Sequence, residues 1–340
     1  MTHLTYLEAA VVGLIQGVTE LFPISSLGHN VLLPALVGGT WEADLNVARP
    51  ESPYLAYIVG LHVATAIALL IYFWRDWVRI IKGFFASIGH VIRPEDGTSR
   101  WQLQSADQKL AWLIIVATIP VGLVGLKFEH EFRVLFGKPI RAAIFLIING
   151  LILLAGELFR RKASLQADQE IAQERELVAV GGARPPGTAK HASGHQAERA
   201  AEYSLGVESD RRLAMQGYLS AFLIGAAQIL ALLAGISRDG VAMVAGMFRG
   251  LSREDAARFA FLLATPVILA AGVLKVPDLM GPLGNGIRGQ VLVGSLLSGV
   301  GAYLSVRFLV KYFRTRTLTP FAIYCIVVGL GSVIYLGFVR

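Results

Sequence analysis

Residues 16–29, with the sequence QGVTELFPISSLGH, place a carboxylate, two serines and a histidine inside an otherwise apolar stretch. Gln16 and Glu20 are four residues apart, so a helix presents both on one face. A carboxylate is expensive to bury among apolar residues and usually marks a site, which makes Glu20 the strongest functional candidate. The stretch therefore predicts a polar site at the end of an apolar helix.

The break at Pro23 separates Glu20 from a second group of polar residues. Ser25 or Ser26 is expected to cap the next helix, whose free N–H groups and positive end favour anions such as phosphate. His29 follows Ser26 by three residues and shares its helical face. Each residue also has a structural interpretation, because serines cap many helices and a polar side chain in a membrane often only bridges helices.

Residues 235–240, GISRDG, supply the cation that the first stretch lacks. Ser237 is the expected N-cap of a further helix, and Arg238 follows at its positive end, where a guanidinium can bind phosphate oxygens through a planar fork. The alternative for Arg238 is a side chain that extends to the membrane interface. Asp239 either complements the helix dipole or joins Glu20, with Gln16 beside it, as an oxygen ligand of a divalent cation.

The elements that position these residues are those of a polytopic membrane protein. The 340 residues are 54% hydrophobic and only 16% charged, with a net charge of +7. Apolar runs of about 20 residues cross a bilayer as helices, and six candidates lie at 54–74, 110–126, 140–159, 259–274, 291–310 and 320–336. Two more runs, 7–22 and 217–233, end at FPISSLG and AGISRDG. They predict re-entrant hairpins, because broken backbone inside a membrane must line protein or a cavity.

The chain divides into two membrane halves, 1–159 and 213–340, each with one hairpin. Residues 160–212 are polar and predict a flexible cytoplasmic linker, in which His191 and His195 are expected to be solvated and to bind no metal. Three loops on one side of the six spans are rich in basic residues, and the positive-inside rule makes that side cytoplasmic. These residues are Arg75, Arg79, Lys82, Arg93, Arg100, Lys109, residues 160–162, Lys311, Arg314 and Arg316.

A shift of 212 residues relates the two halves. It aligns Gly13 with Gly225, Gln16 with Gln228, Ile24 with Ile236, Ser25 with Ser237, Gly28 with Gly240 and Gly38 with Gly250. The late spans AIFLIINGL, from residue 143, and AIYCIVVGL, from residue 322, are also similar. An odd number of spans separates the hairpins, which is typical of an inverted-topology repeat with a site where the hairpins meet. We expect an all-α membrane fold of six spanning helices and two re-entrant hairpins.

The first stretch resembles the glutamine-or-glutamate-rich signature of the undecaprenyl-diphosphate phosphatase family, the bacitracin-resistance proteins. AGISRDG is similar to that family's proline-glycine-x-serine-arginine signature, and FAFLLATPVILAAG and TPFAIYCIVVG resemble further family segments. Only residues 160–212 are expected to fall outside the resemblance, as an insertion. The resemblance implies a bacterial inner-membrane enzyme, often a homodimer. Such an enzyme removes the terminal phosphate of undecaprenyl diphosphate at a site toward the outer face. No nucleic-acid partner is expected.

By position, the resemblance assigns the acidic pair to Gln16 and Glu20, the serine to Ser26, the histidine to His29 and the serine-arginine pair to Ser237 and Arg238. This sequence departs from the family pattern in four places, which are Gln16 for an acid, Ala234 for proline, Asp239 for serine and Ala242 for threonine. Asp239 either restores the negative charge lost at Gln16 or repels the diphosphate.

The mechanistic hypothesis combines these residues. Glu20 alone would repel a diphosphate, so Mg²⁺ or Ca²⁺ is expected to bridge the two. Arg238 and the helix end at Ser237 would stabilise the transferred phosphoryl group. Ser26 is the candidate nucleophile with His29 as its base, and attack by His29 or by water is the alternative.

Two other functions also fit these sequence features. Inverted repeats with broken helices also build secondary transporters, so the chain could move a polyprenyl phosphate without hydrolysis. A catalytically weakened family member is the third possibility, because Asp239 departs from the pattern. The combination of Ser26, His29 and Arg238 favours the enzyme, since transport alone does not require all three.

Overall fold

The computed structural model describes residues 4–45, 53–93, 99–136, 138–178, 195–281 and 284–339, and helices dominate these ranges. The helices are α1 (Tyr6–Leu21), α2 (Ser26–Val37), α3 (Thr40–Asp44), α4 (Pro53–Tyr72), α5 (Trp74–Ile92), α6 (Ala106–Phe136), α7 (Pro139–Val178), α8 (His195–Ala214), α9 (Tyr218–Ala227), α10 (Arg238–Phe248), α11 (Arg253–Met280), α12 (Arg288–Thr315) and α13 (Thr319–Ile334). A 3₁₀ helix (Gln228–Leu232) follows α9, and a π-helical turn (Tyr335–Val339) follows α13.

Five helices of the described residues are long and apolar enough to cross a membrane. Their spanning parts are Ala106–Phe128, Pro139–Lys162, Arg253–Val273, Arg288–Thr315 and Thr319–Val339. The sixth expected span is α4, which bends by 84° into the amphipathic helix α5. The polytopic all-α class expected from the sequence is therefore confirmed, with α4 and α5 as one bent element.

The two expected hairpins form at the two breakers. In the first, α1 ends at Leu21, a short turn follows, and α2 begins at Ser26. In the second, α9 tightens into the 3₁₀ helix, and after a further break α10 begins at Arg238. Both breakers lie in the interior of the helix bundle, where protein groups can satisfy the interrupted backbone.

Close glycine packing follows the repeat that the sequence indicates. Gly13 of α1 packs directly on the backbone of Gly294 in α12, and its repeat partner Gly225 of α9 packs on the backbone of Ala117 in α6. Helix pairs related by the repeat thus make the same kind of contact, in which small residues let two helix backbones approach.

Helices α7 and α13 pack on each other around the repeat axis. Gly150 of α7 lies against Ala322 of α13, and the equivalent Gly329 of α13 lies against Ala143 of α7. Early residues of one helix meet late residues of the other, so the pair is antiparallel. The repeat relates α7 to α13, and these two helices run in opposite directions across the membrane. A two-fold axis that exchanges them therefore lies in the membrane plane, as an inverted-topology repeat requires.

The described parts of the region expected as a flexible linker, residues 160–178 and 195–212, are helical. Helix α7 continues through residues 160–178, and α8 begins at His195, so both ends of the 160–212 segment are helical. Residues 179–194, which include His191, lie outside the described residues.

Buried ion pairs give the physical reason for order in α8. Asp210 is fully buried, and both of its oxygens accept from Arg258 of α11, at 2.7 and 2.9 Å, while Arg79 of α5 also donates to it. Arg212 forms a forked pair with Asp255, at 2.8 and 2.7 Å. A segment with few apolar residues is expected to be disordered when its polar side chains stay in water. In α8 the charged side chains instead form ion pairs with α5 and α11.

We expect Gly225→Val to destabilise the fold. The added side chain would meet the Ala117 backbone, which cannot move without shifting α6, and overpacking of this kind costs about 1–3 kcal/mol. The midpoint of thermal unfolding in detergent should fall by several degrees. Gly125→Val is the matched control, because no atom lies within 4 Å of a Cβ built there. Equal midpoints for the two variants would contradict the packing account.

Candidate active site

The carboxylate of Glu20 is the centre of the polar cluster between the hairpins. It lies near the end of α1 and is only 8% exposed. Its Oε1 accepts from Arg238 Nη2 at 2.7 Å, and its Oε2 accepts from Gln16 Nε2 at 2.8 Å and from the Ser26 hydroxyl. The structure thus brings together Glu20, Ser26 and Arg238, although Arg238 lies 218 residues from Glu20 along the chain.

His62 of α4 completes the cluster, and the sequence reasoning missed it. Its Nε2 lies 3.3 Å from Glu20 Oε2, and its Nδ1 lies 2.9 Å from the Ile58 carbonyl. Both ring nitrogens face acceptor oxygens, and a ring with N–H groups on both nitrogens would donate to both. The signal that could have found it is the one used for Glu20, an ionisable residue within a spanning segment.

Gln16 holds the Glu20 carboxylate from its own helix. Its amide nitrogen donates to Glu20, and its Oε1 accepts from Asn30 Nδ2 at 2.6 Å. The expected stacking of Gln16 and Glu20 on one helical face is thus present. Because the amide oxygen of Gln16 is occupied by Asn30, the residue acts here as a donor that orients Glu20.

Ser25 joins the two hairpin turns. Its hydroxyl oxygen accepts from the N–H of Gly28 and from the N–H of Gly235, both at 3.2 Å. Ser25 also has a φ of 68°, a conformation that costs a non-glycine residue about 1–3 kcal/mol and that occurs mostly at functional sites. Gly28 permits the contact, since a Cβ there would lie 2.8 Å from the Gly235 Cα.

Ser237 and Arg238 begin α10 as the sequence predicts. Ser237 caps the helix by accepting from the N–H of Gly240 at 3.1 Å. Arg238 then projects toward Glu20 and is mostly buried, so it does not extend to the membrane interface. The positive end of α10 and the guanidinium therefore lie on the same side of the cluster.

Asn149 of α7 holds both hairpin turns at once. Its Nδ2 donates to the Pro23 carbonyl in the first turn, and its Oδ1 accepts from the Ser237 N–H in the second, each at 2.9 Å. The side chain is fully buried. One amide thus satisfies a backbone acceptor and a backbone donor that the broken helices leave without intrahelical partners.

His29 lies beside the cluster but does not pair with Ser26. Its Nδ1 donates to the Ser25 carbonyl at 2.7 Å, and its Nε2 contacts the Tyr324 hydroxyl at 2.9 Å, with the two rings stacked 5.7 Å apart. Both nitrogens are thus occupied by groups other than the Ser26 hydroxyl. The expected serine-histidine contact is not formed in this arrangement.

Asp239 is the least satisfied polar residue of the site. It is 1% exposed, and among the described residues neither carboxylate oxygen has a hydrogen-bond partner. The charged group beside it is Arg238, whose Nε lies 3.5 Å from Oδ1. A buried carboxylate without donors is costly, and such groups call for an explanation such as a bound cation or a catalytic role.

Two basic side chains, Arg238 and His62, contact the Glu20 carboxylate, and Arg238 also lies near Asp239, all within a largely buried environment. A hydroxyl bonded to a carboxylate, next to a guanidinium and a helix N-terminus, is an arrangement suited to phosphoryl transfer.

Comparison with known proteins gives one family over nearly the whole chain. The family model "Bacitracin resistance protein BacA" matches residues 9–185 and 187–331. A protein from Mycolicibacterium paratuberculosis named undecaprenyl-diphosphatase is 57% identical over 335 residues, which cover 98% of each chain. Proteins with the same name from Mycobacterium avium and Granulibacter bethesdensis are 56% and 37% identical, over 98% of this chain in both cases.

The expectation that residues 160–212 fall outside the family resemblance is wrong. The family match runs through this region and is interrupted only at residue 186. The structure gives a physical reason, because α7 continues into the segment and α8 is anchored by the buried carboxylate of Asp210.

We expect Asn149→Ala to lower stability more than its small size change implies. The substitution leaves the Pro23 carbonyl and the Ser237 N–H buried without partners, at about 1–3 kcal/mol each. Thermal unfolding in detergent measures the loss, and Asn285→Ala, an exposed amide outside the site, is the control. A midpoint unchanged from wild type would contradict the role of Asn149 as a clamp.

Proposed function

The chain belongs to the bacitracin resistance protein BacA family, and we propose that its hairpin cluster is the active site of an undecaprenyl-diphosphatase. The enzyme releases inorganic phosphate from undecaprenyl diphosphate and leaves undecaprenyl phosphate. The observation that carries this proposal is the contact of the Ser26 hydroxyl with Glu20 beside Arg238 and His62. This arrangement places a nucleophile, a base, a guanidinium and an imidazole at one point.

Binding of the diphosphate begins with an exchange of partners. In the free protein, Glu20 occupies the donors of Arg238 and His62 that a phosphate group would use. The diphosphate carries more negative charge than one carboxylate, and the fork of Arg238 matches phosphate oxygens. Transfer of these donors to the substrate leaves Glu20 bonded to Ser26 and Gln16, which strengthens Glu20 as a base.

The chemical step follows from the Ser26–Glu20 contact. Glu20 takes the hydroxyl proton, and Ser26 Oγ attacks the terminal phosphorus. The bond from that phosphorus to the bridging oxygen breaks, and undecaprenyl phosphate leaves with the bridging oxygen. Water then hydrolyses the phosphoserine and restores Ser26. Arg238 and the N-terminus of α10 stabilise the charge on the transferred phosphoryl group, the largest contribution expected in such reactions.

His29 has a supporting role in this scheme. Because its ring bonds to the Ser25 carbonyl and to Tyr324, it fixes the strained turn that aims Ser26 at Glu20. The direct roles considered for His29, as base or nucleophile, require it to leave both partners.

We also propose a divalent cation, and the reason for it is now Asp239 and no longer the charge of Glu20. Arg238 and His62 already offset the charge of Glu20, so repulsion between Glu20 and the diphosphate no longer demands a metal. Asp239 now supplies the argument, because its two oxygens lack hydrogen-bond donors. No group of three metal-ligating side chains occurs among the described residues. We therefore assign Mg²⁺ or Ca²⁺ to Asp239 together with substrate oxygens, where it would add charge neutralisation.

The protein is a multi-pass membrane protein, and we propose the bacterial inner membrane as its location. The basic residues of α5 and of the end of α12 support the proposal that their side is cytoplasmic. The site is then proposed to receive substrate from the outer face, and a homodimer remains an expectation from the family resemblance. Transport without hydrolysis is disfavoured by the Ser26–Glu20 contact, since a carrier gains nothing from a poised nucleophile.

Phosphate release from a polyprenyl diphosphate by purified protein in detergent tests the function. We expect Glu20→Gln, Ser26→Ala, His62→Ala and Arg238→Ala each to lower the rate by roughly 100-fold or more, because each removes a group that acts on the transferred phosphoryl. Arg249→Ala is the control, since Arg249 binds Ser220 outside the cluster. Transport cannot register without a membrane, so a wild-type protein that releases no phosphate would overturn the hydrolase assignment.

Removal of divalent cations tests the metal separately. Excess chelator should lower the wild-type rate at least about tenfold, with recovery on addition of Mg²⁺ or Ca²⁺, because the cation offsets charge on the diphosphate. An unchanged rate in chelator would contradict the metal assignment and leave the roles of Ser26 and Arg238 intact.

Asp239→Ser distinguishes a metal-binding residue from a hindrance. If Asp239 holds the cation, the Mg²⁺ concentration for half-maximal rate should rise by roughly tenfold or more, comparable to the loss of a group that supports a metal site. A higher rate with unchanged Mg²⁺ dependence would identify Asp239 as a residue that repels the substrate.

A further inference from the structure

A charged cavity lies away from the active site. It occupies about 470 Å³ among the corner between α4 and α5, helix α8, the start of α11 and the end of α12. Tyr72 in its wall is ten residues from His62 along α4, which corresponds to about 15 Å of helix. We call it the basic cavity, and its ionisable lining residues are Arg75, Asp76, Glu202, Glu254, Arg258, Arg307, Lys311 and Arg314.

The acidic residues of the basic cavity already have partners within the protein. Asp76 pairs with Arg258 at 2.9 Å, and Glu254 pairs with Arg314 at 3.2 Å. The Glu202 carboxylate accepts from the Tyr72 hydroxyl at 2.9 Å. Two of the three carboxylates are therefore in ion pairs and the third accepts from a neutral hydroxyl, and the lining has a positive excess of five basic over three acidic residues.

Arg75 and Arg307 supply the cationic groups available to a ligand. Within the part of the chain that the structure describes, neither forms an ion pair. The Arg75 guanidinium lies 5.3 Å from the Trp74 ring and 5.7 Å from the Tyr203 ring, so two aromatic faces position it. A held guanidinium loses little conformational entropy when it binds an oxyanion, and its fork matches phosphate.

The lining also contains exposed apolar surface. Ile71 is 58% exposed and Trp74 is 55% exposed, and both lie where α4 reaches the amphipathic helix α5. Exposed apolar and aromatic side chains at the end of a membrane-spanning helix are suited to contact lipid. A ligand that contacts both the guanidiniums and the apolar side chains of the lining needs an anionic head and a hydrocarbon part.

We propose that the basic cavity binds the phosphate-bearing head group of an anionic membrane lipid, with Arg75 and Arg307 as its principal ligands. The phosphate lies between the two guanidiniums, and the hydrocarbon part leaves past Ile71 and Trp74. This site is separate from the Glu20 cluster and is independent of the hydrolysis proposed there.

Binding to the purified full-length protein in neutral detergent tests the proposal. The probes are dioctanoyl phosphatidic acid, dioctanoyl phosphatidylcholine and inorganic phosphate, and the readouts are native mass spectrometry and tryptophan fluorescence. We expect saturable binding of phosphatidic acid, and about tenfold or greater weakening in the double variant Arg75→Gln, Arg307→Gln. Arg316→Gln is the matched control, an exposed arginine at the end of α12 that does not line the cavity.

The catalytic site can also attract phosphate, so the measurement is repeated with Arg238→Ala. Binding that survives Arg238→Ala and is lost in the double variant supports the basic cavity. Equal binding by the double variant and wild type overturns the proposal. Equal effects of inorganic phosphate and phosphatidic acid overturn the lipid assignment in favour of a free anion. Unchanged phosphate release by the double variant shows that it is folded and separates this test from that of the hydrolase.

Discussion

The structure depends on one constraint, the placement of the Glu20 carboxylate inside a membrane protein. An isolated charge in such an environment is costly, and it persists only when donors and counter-charges surround it. Glu20 receives them from Gln16 on its own helix, from Ser26 across the turn, from Arg238 on the other hairpin and from His62 on α4. These groups come from three separate parts of the chain, so the carboxylate also ties the two repeats together.

The broken helices impose a second requirement, because every interrupted backbone group needs a partner away from water. Asn149 supplies both an acceptor and a donor, and the Ser25 hydroxyl accepts from the turns of both hairpins. The strain of Ser25 is tolerated because these contacts over-determine its position. Satisfaction of the backbone thus fixes the positions of Ser26 and Arg238, and the fold and the site are stabilised by the same bonds.

In the free protein the proposed phosphate site is filled by the protein's own anion, the Glu20 carboxylate. Glu20 takes the donors that a phosphate would use, which lowers the cost of keeping Arg238 and His62 buried before substrate arrives. Asp239 is the exception, since its neighbours provide one distant guanidinium and no hydrogen bond. That imbalance is what a cation or a substrate proton would correct. The basic cavity has the opposite imbalance, because its carboxylates all have partners within the protein and two of its guanidiniums have no acid partner among the described residues.

The sequence alone determined the membrane class, the two hairpins and the candidates Glu20, Ser26 and Arg238, because burial cost, helical spacing and capping act locally. It did not determine which groups touch. Gln16 and Ser26 lie within six residues of Glu20, but His62 and Asn149 reach the hairpins only through helix packing, which local patterns do not encode. The same limit explains the linker, where low hydrophobicity predicted disorder and long-range ion pairs order α8. His29 was placed on the face of Ser26 by spacing, yet Tyr324, 295 residues away, fixes its ring. Only the tertiary structure could decide these pairings, because each joins residues that the chain brings together after the repeats have packed.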